Sequence, residues 1–125
     1  MRPLVYGCVS VPAHVAEEQA ERRRWEIATF AEREGLALAG IFTDPRGRSQ
    51  HAFYAMTEAL RRGDATQVVV PAVEHLDHVP GLQHADVSAA ARHVGAPILA
   101  VHTGDRSRTS RRWRRLWGRS ARQSP

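Results

Sequence analysis

Apolar positions along the chain fall into four short runs, separated by stretches in which they recur at helical spacing. Residues 3–9 (PLVYGCV) are rich in β-formers and predict a first strand. From Pro12 the spacing becomes helical, with an inward stripe through Val15, Ala20, Ile27, Phe30 and Ala31. Ser10 or Val11 would precede this helix, Pro12 suits its first turn, and Gly35 is a C-terminal stop. Residues 36–43 (LALAGIFT) predict a second strand, followed by the polar loop DPRGRSQ. Residues 51–62 predict a second helix with Phe53, Met56 and Leu60 on one face, ended by Gly63. Residues 67–72 (QVVVPA) predict a third strand, whose consecutive valines suit burial on both faces. The polar stretch VEHLDHVPG leads to a third helix at 83–94 and a fourth strand at 96–101.

Strands alternating with helices imply parallel pairing through right-handed crossovers. The expected architecture is α/β, three-layered, with a four-stranded, mainly parallel sheet over residues 1–102, followed by a basic C-terminal tail over 103–125. In such sheets, sites form beyond the carboxyl ends of the strands. Those ends carry Ser10, Asp44, Glu74 with His75, and His102. No internal repeat is present.

Composition narrows the classes. A chain of 125 residues with 42% hydrophobic and 25% charged content is expected to be one globular domain. No apolar run approaches the ~20 residues that span a bilayer, and residues 1–12 lack the apolar centre of a signal peptide, so a cytoplasmic location is expected. Cys8 is the single cysteine, which excludes an internal disulfide and, in an apolar strand, reads as a buried thiol.

Charge is unevenly placed. All 18 basic residues are arginine. Met1–His102 holds 10 Arg against 12 Asp+Glu, a net of −2, whereas Thr103–Pro125 holds 8 Arg against Asp105 alone, a net of +7. In that tail Arg106, Arg108, Arg111, Arg112, Arg114, Arg115, Arg119 and Arg122 are interleaved with Trp113 and Trp117. The i, i+4 spacing would put both indoles on one helical face. Such a segment neutralises nucleic-acid phosphates without reading sequence. It is also the pattern of a basic amphipathic helix on an anionic membrane, and the plainest reading is a solubilising tail. The tryptophans argue against the last of these, and DNA is the favoured partner.

Candidate chemistry elsewhere is sparse. Ser10 is either a nucleophile at a strand end or a helix N-cap. Glu74, His75 and His78 have helix-compatible spacing, but a metal would need a third ligand such as His84 from a separate segment, so a polar loop and no metal are expected. Glu74 and Asp77 could pair with Arg46 or Arg48. The loop DPRGRSQ could hold a phosphate, though a solvated turn is the simpler reading. With no GxGxxG and no Walker lysine, no cofactor is expected.

Taken together, "YGCVS", "GIFTD", "AFYAMTEALRRGD", "VVVPAVEHLDH" and "GAPILAV", in that order over residues 4–102, make the sequence resemble the catalytic domain of the serine recombinases, the resolvase/invertase family. The resemblance implies a serine that attacks a DNA phosphodiester without a metal, surrounded by arginines that hold the phosphate. In one register Tyr6–Ser10 overlays the family's Tyr-x-Arg-Val-Ser, making Ser10 the nucleophile and Cys8 the residue in an arginine's place. In a second register, shifted by two, Ser10 takes that arginine's place and Pro12 the nucleophile's. A further family arginine falls at Gln50. The Asp-Arg-x-x-Arg segment overlays Glu74-His75-Leu76-Asp77-His78, which keeps a carboxylate but replaces both arginines with histidine.

A histidine with its reference pKa near ~6.5 is a poor permanent cation at neutral pH, and losing one preorganised donor costs ~10²–10³-fold in rate. The family's long dimerisation helix and helix-turn-helix domain find no counterpart in residues 103–125, so the family's assembly is not implied, while a homodimer or a protein partner stays open. The resemblance therefore points to a catalytically degenerate, DNA-associated accessory or regulatory protein. The competing readings are a minimal recombinase or nickase using Ser10 with His75 and His78, and a protein-interaction module.

Overall fold

The computed structural model describes residues 2–12, 17–46 and 50–102. Val15, Arg48 and the whole of segment 103–125, with its arginines and two tryptophans, lie outside the described residues. The elements run β1 (Leu4–Pro12), α1 (Glu17–Arg33), β2 (Ala37–Arg46), α2 (His51–Arg61), β3 (Gln67–Val70), a 3-10 turn (Val73–Leu76), α3 (Val87–Val94) and β4 (Ile98–Ala100). The four strands form one sheet in the order β2-β1-β3-β4, and every pairing is parallel. This is the expected three-layer α/β arrangement.

The period-two alternation of strand side chains divides the core. Val5 and Val9 of β1 and Val69 of β3 pack with Ile27 and Ala31 of α1 on one face. Cys8 of β1 and Val68 and Val70 of β3 pack with Phe53 and Met56 of α2 and Val87, Ala90 and Ala91 of α3 on the other. All four residues of β3 are buried, as consecutive valines between two helical layers require. Ala20, Ile27 and Ala31 of the expected α1 stripe are buried, and Phe30 is half-buried.

Several boundaries differ from the sequence reading. Strand β1 continues through Ser10 to Pro12 because β2 continues beside it, Ser10 opposite Asp44 and Pro12 opposite Arg46. The start of DPRGRSQ is thus strand, and Ser10 lies within β1, seven positions before α1 begins at Glu17, not at a helix N-cap. An irregularity between Val5 and Tyr6 leaves Ala39 as an extra residue in β2. Helix α3 starts at Val87, not 83, because the Asp86 side chain accepts from the Ala89 N–H at 2.8 Å and caps it there. The stretch VEHLDHVPG opens with a 3-10 turn over Val73–Leu76, with His75 and Leu76 buried, and continues as irregular turns.

Gly7 sets how closely α1 approaches the sheet. A Cβ there would stand 3.0 Å from Ile27 Cγ2 and 3.0 Å from Ile41 Cγ1, branch atoms that move only with their side chains. Gly7→Ala is therefore expected to lower stability by about 1–3 kcal/mol, measured as a reduced urea midpoint at unchanged slope.

Candidate functional site

The site lies where the carboxyl ends of β1, β2 and β3 meet the start of α2. Strand β1 leads through α1 to β2 on one side. The chain then returns across the opposite face to β3 on the other, so β1 and β3 flank the point where the strand order reverses. Strand β3 ends at Val70, whereas β1 extends five residues, to Pro12, beyond Gly7, the last to pair with β3. The backbone of Leu4 faces β3, since its carbonyl accepts from the Thr66 N–H at 3.0 Å. Ser10 has the same parity, so its N–H also points to that side. The place of a longer β3 is taken by a side chain: Ser10 N–H donates to His75 Nδ1 at 3.1 Å. This bond puts the His75 proton on Nε2.

Asp44 is the second anchor. Its buried carboxylate accepts from the Ala52 N–H at 2.8 Å through Oδ1 and from the Phe53 N–H at 2.9 Å through Oδ2. These are first-turn amides of α2, which have no intrahelical acceptor, and the positive end of the helix dipole favours the carboxylate. Gln50, immediately before α2, makes no side-chain cap, so Asp44 does from a neighbouring strand what an N-cap residue does locally. His78 Nε2 lies 3.1 Å from Asp44 Oδ2, with both side chains buried. The carboxylate accepts, so Nε2 carries the proton, and the buried Nδ1 has no hydrogen-bond partner. Gln50 Nε2 donates to the His78 carbonyl at 3.4 Å.

The structure brings Ser10, His75 and His78 together and adds Asp44 and Gln50, but it leaves Glu74 exposed on the 3-10 turn. His84 is also exposed, at a left-handed φ of 61°, with its N–H held by Asp77 Oδ1 at 3.2 Å. Among the described residues no group of three or more His, Cys, Asp or Glu side chains is placed to hold a metal ion. His102 is separate, with Nε2 3.2 Å from Glu26 Oε1 on α1. Beside the cluster, burial and then the Asp44 charge push the Cys8 thiol up from its ordinary 9.0 to about 12. This is the inert, buried thiol that the sequence suggested.

Asp44 was legible in the sequence only as a strand end. Its capping role was not, because a local search for N-caps inspects the residue adjoining the helix, and Asp44 acts from eight positions before Ala52. Ser10 is 0% exposed, so no solute reaches its side chain in this conformation. Each position that the resemblance assigned to arginine holds an uncharged or titratable group turned inward: Cys8 buried in the core, Gln50 on the His78 carbonyl, His75 on β1 and His78 on Asp44. The described cluster ties backbone segments together and presents no fixed cation.

No protein-family model and no curated protein matches the sequence. Among solved structures, the fold is similar to the crystal structure of the C-terminal catalytic domain of ISC1926 TnpA, an IS607-like serine recombinase, with a TM-score of 0.61 over 82% of this chain and 69% of that chain. Sequence identity is 12%, so the likeness establishes a shared fold. The four-stranded parallel sheet with flanking helices is that of a serine recombinase catalytic domain.

Asp44→Ala would leave two helix amides and the His78 Nε2–H without an acceptor, and is expected to cost about 3 kcal/mol in urea unfolding. Gln50→Ala, which removes a longer and less buried hydrogen bond, should cost less than about 1 kcal/mol. The Cys8 thiol stays protonated in the folded state over a range where the unfolded state ionises. Between pH 9.0 and about 12 the unfolded chain thus binds fewer protons and stability falls as pH rises. This group's share of the slope is about 1.4 kcal/mol per pH unit. Unfolding measured across that range should be less steep in Cys8→Ala by that amount.

Proposed function

We propose that this chain is a DNA-associated protein of serine-recombinase fold that serves an accessory or regulatory role and does not exchange strands. One observation carries the reading: Ser10 is fully buried, with its backbone tied to His75, where a nucleophile must meet a phosphodiester. A metal-free phosphoryl-transfer transition state needs fixed cations around its non-bridging oxygens. Among the described residues, the groups around Ser10 are imidazoles, an amide, a thiol and the Asp44 carboxylate, whose charge opposes a phosphate. In this reading Ser10, Glu74, His75 and His78 occupy catalytic positions without catalytic roles.

Support for a DNA partner comes from the fold and from the distribution of charge. With a net of −2, the body of the chain gains nothing from long-range attraction to a polyanion. The +7 segment 103–125 therefore supplies the affinity, through Arg106, Arg108, Arg111, Arg112, Arg114, Arg115, Arg119 and Arg122, with Trp113 and Trp117 available to stack. No helix among the described residues is long and apolar enough to cross a membrane.

Two measurements on the full chain test the proposal. Incubation with supercoiled or nicked DNA followed by denaturing quench should yield no covalent protein–DNA adduct. An adduct that disappears in Ser10→Ala would replace the accessory role with a nucleophilic one. Replacing Arg111, Arg112, Arg114 and Arg115 by Gln should flatten the dependence of log affinity on log salt by about 3–4, at ~0.9 for each phosphate that is no longer neutralised. An unchanged slope would place DNA binding on the α/β body.

A further inference from the structure

We infer that the outer flank of α1 is a docking surface for the chain's own segment 103–125, which is held there until DNA displaces it. The inference rests on the reading of that segment as the DNA contact, since the same arginines serve both partners.

Three observations converge. Trp25 is 67% exposed in the middle of a strongly charged helix, the most exposed large hydrophobic side chain described. It lines a shallow groove with Glu21, Arg22, Arg24, Ala28 and Ile41, so an apolar floor between α1 and the edge strand β2 is bordered by charges of both signs. Beside it stand the exposed carboxylates of Glu17 and Glu21, both already turned to Arg24 and each with lone-pair positions for a further guanidinium. Finally, the chain leaves β4 toward this helix, because His102, the last residue described, lies against Glu26, the residue next to Trp25.

Reach and chemistry both fit. Ten residues separate His102 from Trp113 and span up to ~33 Å when extended, whereas a helix is only about 10–12 Å across. The segment brings two further indoles at i, i+4 and a net charge of +7, opposite a body of net −2. An indole seated on Trp25 and Ile41 would bury apolar area that is otherwise wet, and an arginine over Trp25 adds a cation–π contact flanked by carboxylates. Docking and DNA binding then exclude each other, so the α1 flank sets a threshold for DNA affinity.

The test uses the full chain with Ser124→Cys carrying a nitroxide, which the buried Cys8 thiol does not take up. Paramagnetic broadening of amide signals at residues 21–28 and of the Trp25 indole, stronger than at α3, is expected at low salt and should vanish on adding duplex DNA. Trp25→Ala, an exposed position that leaves the fold intact, should remove the broadening and tighten DNA binding about 5-fold. Broadening spread evenly over the surface would overturn the inference. So would broadening seen only when nitroxide-bearing protein is mixed with a separate isotope-labelled copy, which would make the contact intermolecular. If broadening is found at α1 but the chain binds no DNA, the docking surface stands and the DNA reading falls.

Discussion

The Asp44 carboxylate holds the carboxyl end of this sheet together. Of the roughly four lone-pair positions a carboxylate offers, three are filled by donors from two other parts of the chain: the Ala52 and Phe53 amides of α2, and His78 beyond β3. Burying a carboxylate is costly unless its charge is met by donors, and the amino end of α2 together with one imidazole supplies them. The start of α2, the end of β2 and the turn after β3 therefore cannot move independently. The same buried charge raises the neighbouring Cys8 thiol further after burial has raised it.

His75 is the counterpart of Asp44 on the other side of β1. Strand β3 is short, and at the switch point between β1 and β3 the Ser10 amide would face a gap. The imidazole closes it with a single acceptor, so the chain turns into the 3-10 segment without leaving that N–H unsatisfied. In open α/β sheets this crevice is where ligands ordinarily bind. In the described conformation protein groups fill it, which is why the fold resembles a catalytic domain while its serine is sealed from solvent. Fold likeness and chemical competence are separable, since the sheet needs only the backbone order and the core valines, whereas phosphoryl transfer needs particular cations at particular distances.

The exposed side of α1 shows a different economy. Its carboxylates and arginines form i, i+3 pairs that contribute little each in water, yet they frame one indole that the core does not use. Helical spacing explains the buried stripe of α1 but leaves Trp25 unaccounted for. A large apolar side chain kept in water serves no packing role in the core, and in the docking inferred for segment 103–125 it is half of the contact.

Read from the sequence, periodicity was enough for the architecture. Valine runs, helical stripes and glycine stops describe interactions within a few residues or with a generic apolar layer, and these specified four strands, three helices and parallel order. The capping of α3 by Asp86 is also local and was open to the same reasoning, although α3 was expected four residues too early. Ser10, His75 and His78 could be picked out as residues at strand ends. Their partners could not, because Ser10 meets His75 across 65 positions and Asp44 meets His78 across 34. Whether a polar residue at a strand end faces solvent, caps a helix or replaces a missing strand depends on how far each neighbouring strand extends. That is decided only when the strands are laid side by side. The sequence by itself determined that a parallel α/β sheet would form and where its carboxyl end would lie. The tertiary structure decided that this end would be closed, because a carboxylate and an imidazole could reach backbone amides that no nearby residue was placed to satisfy.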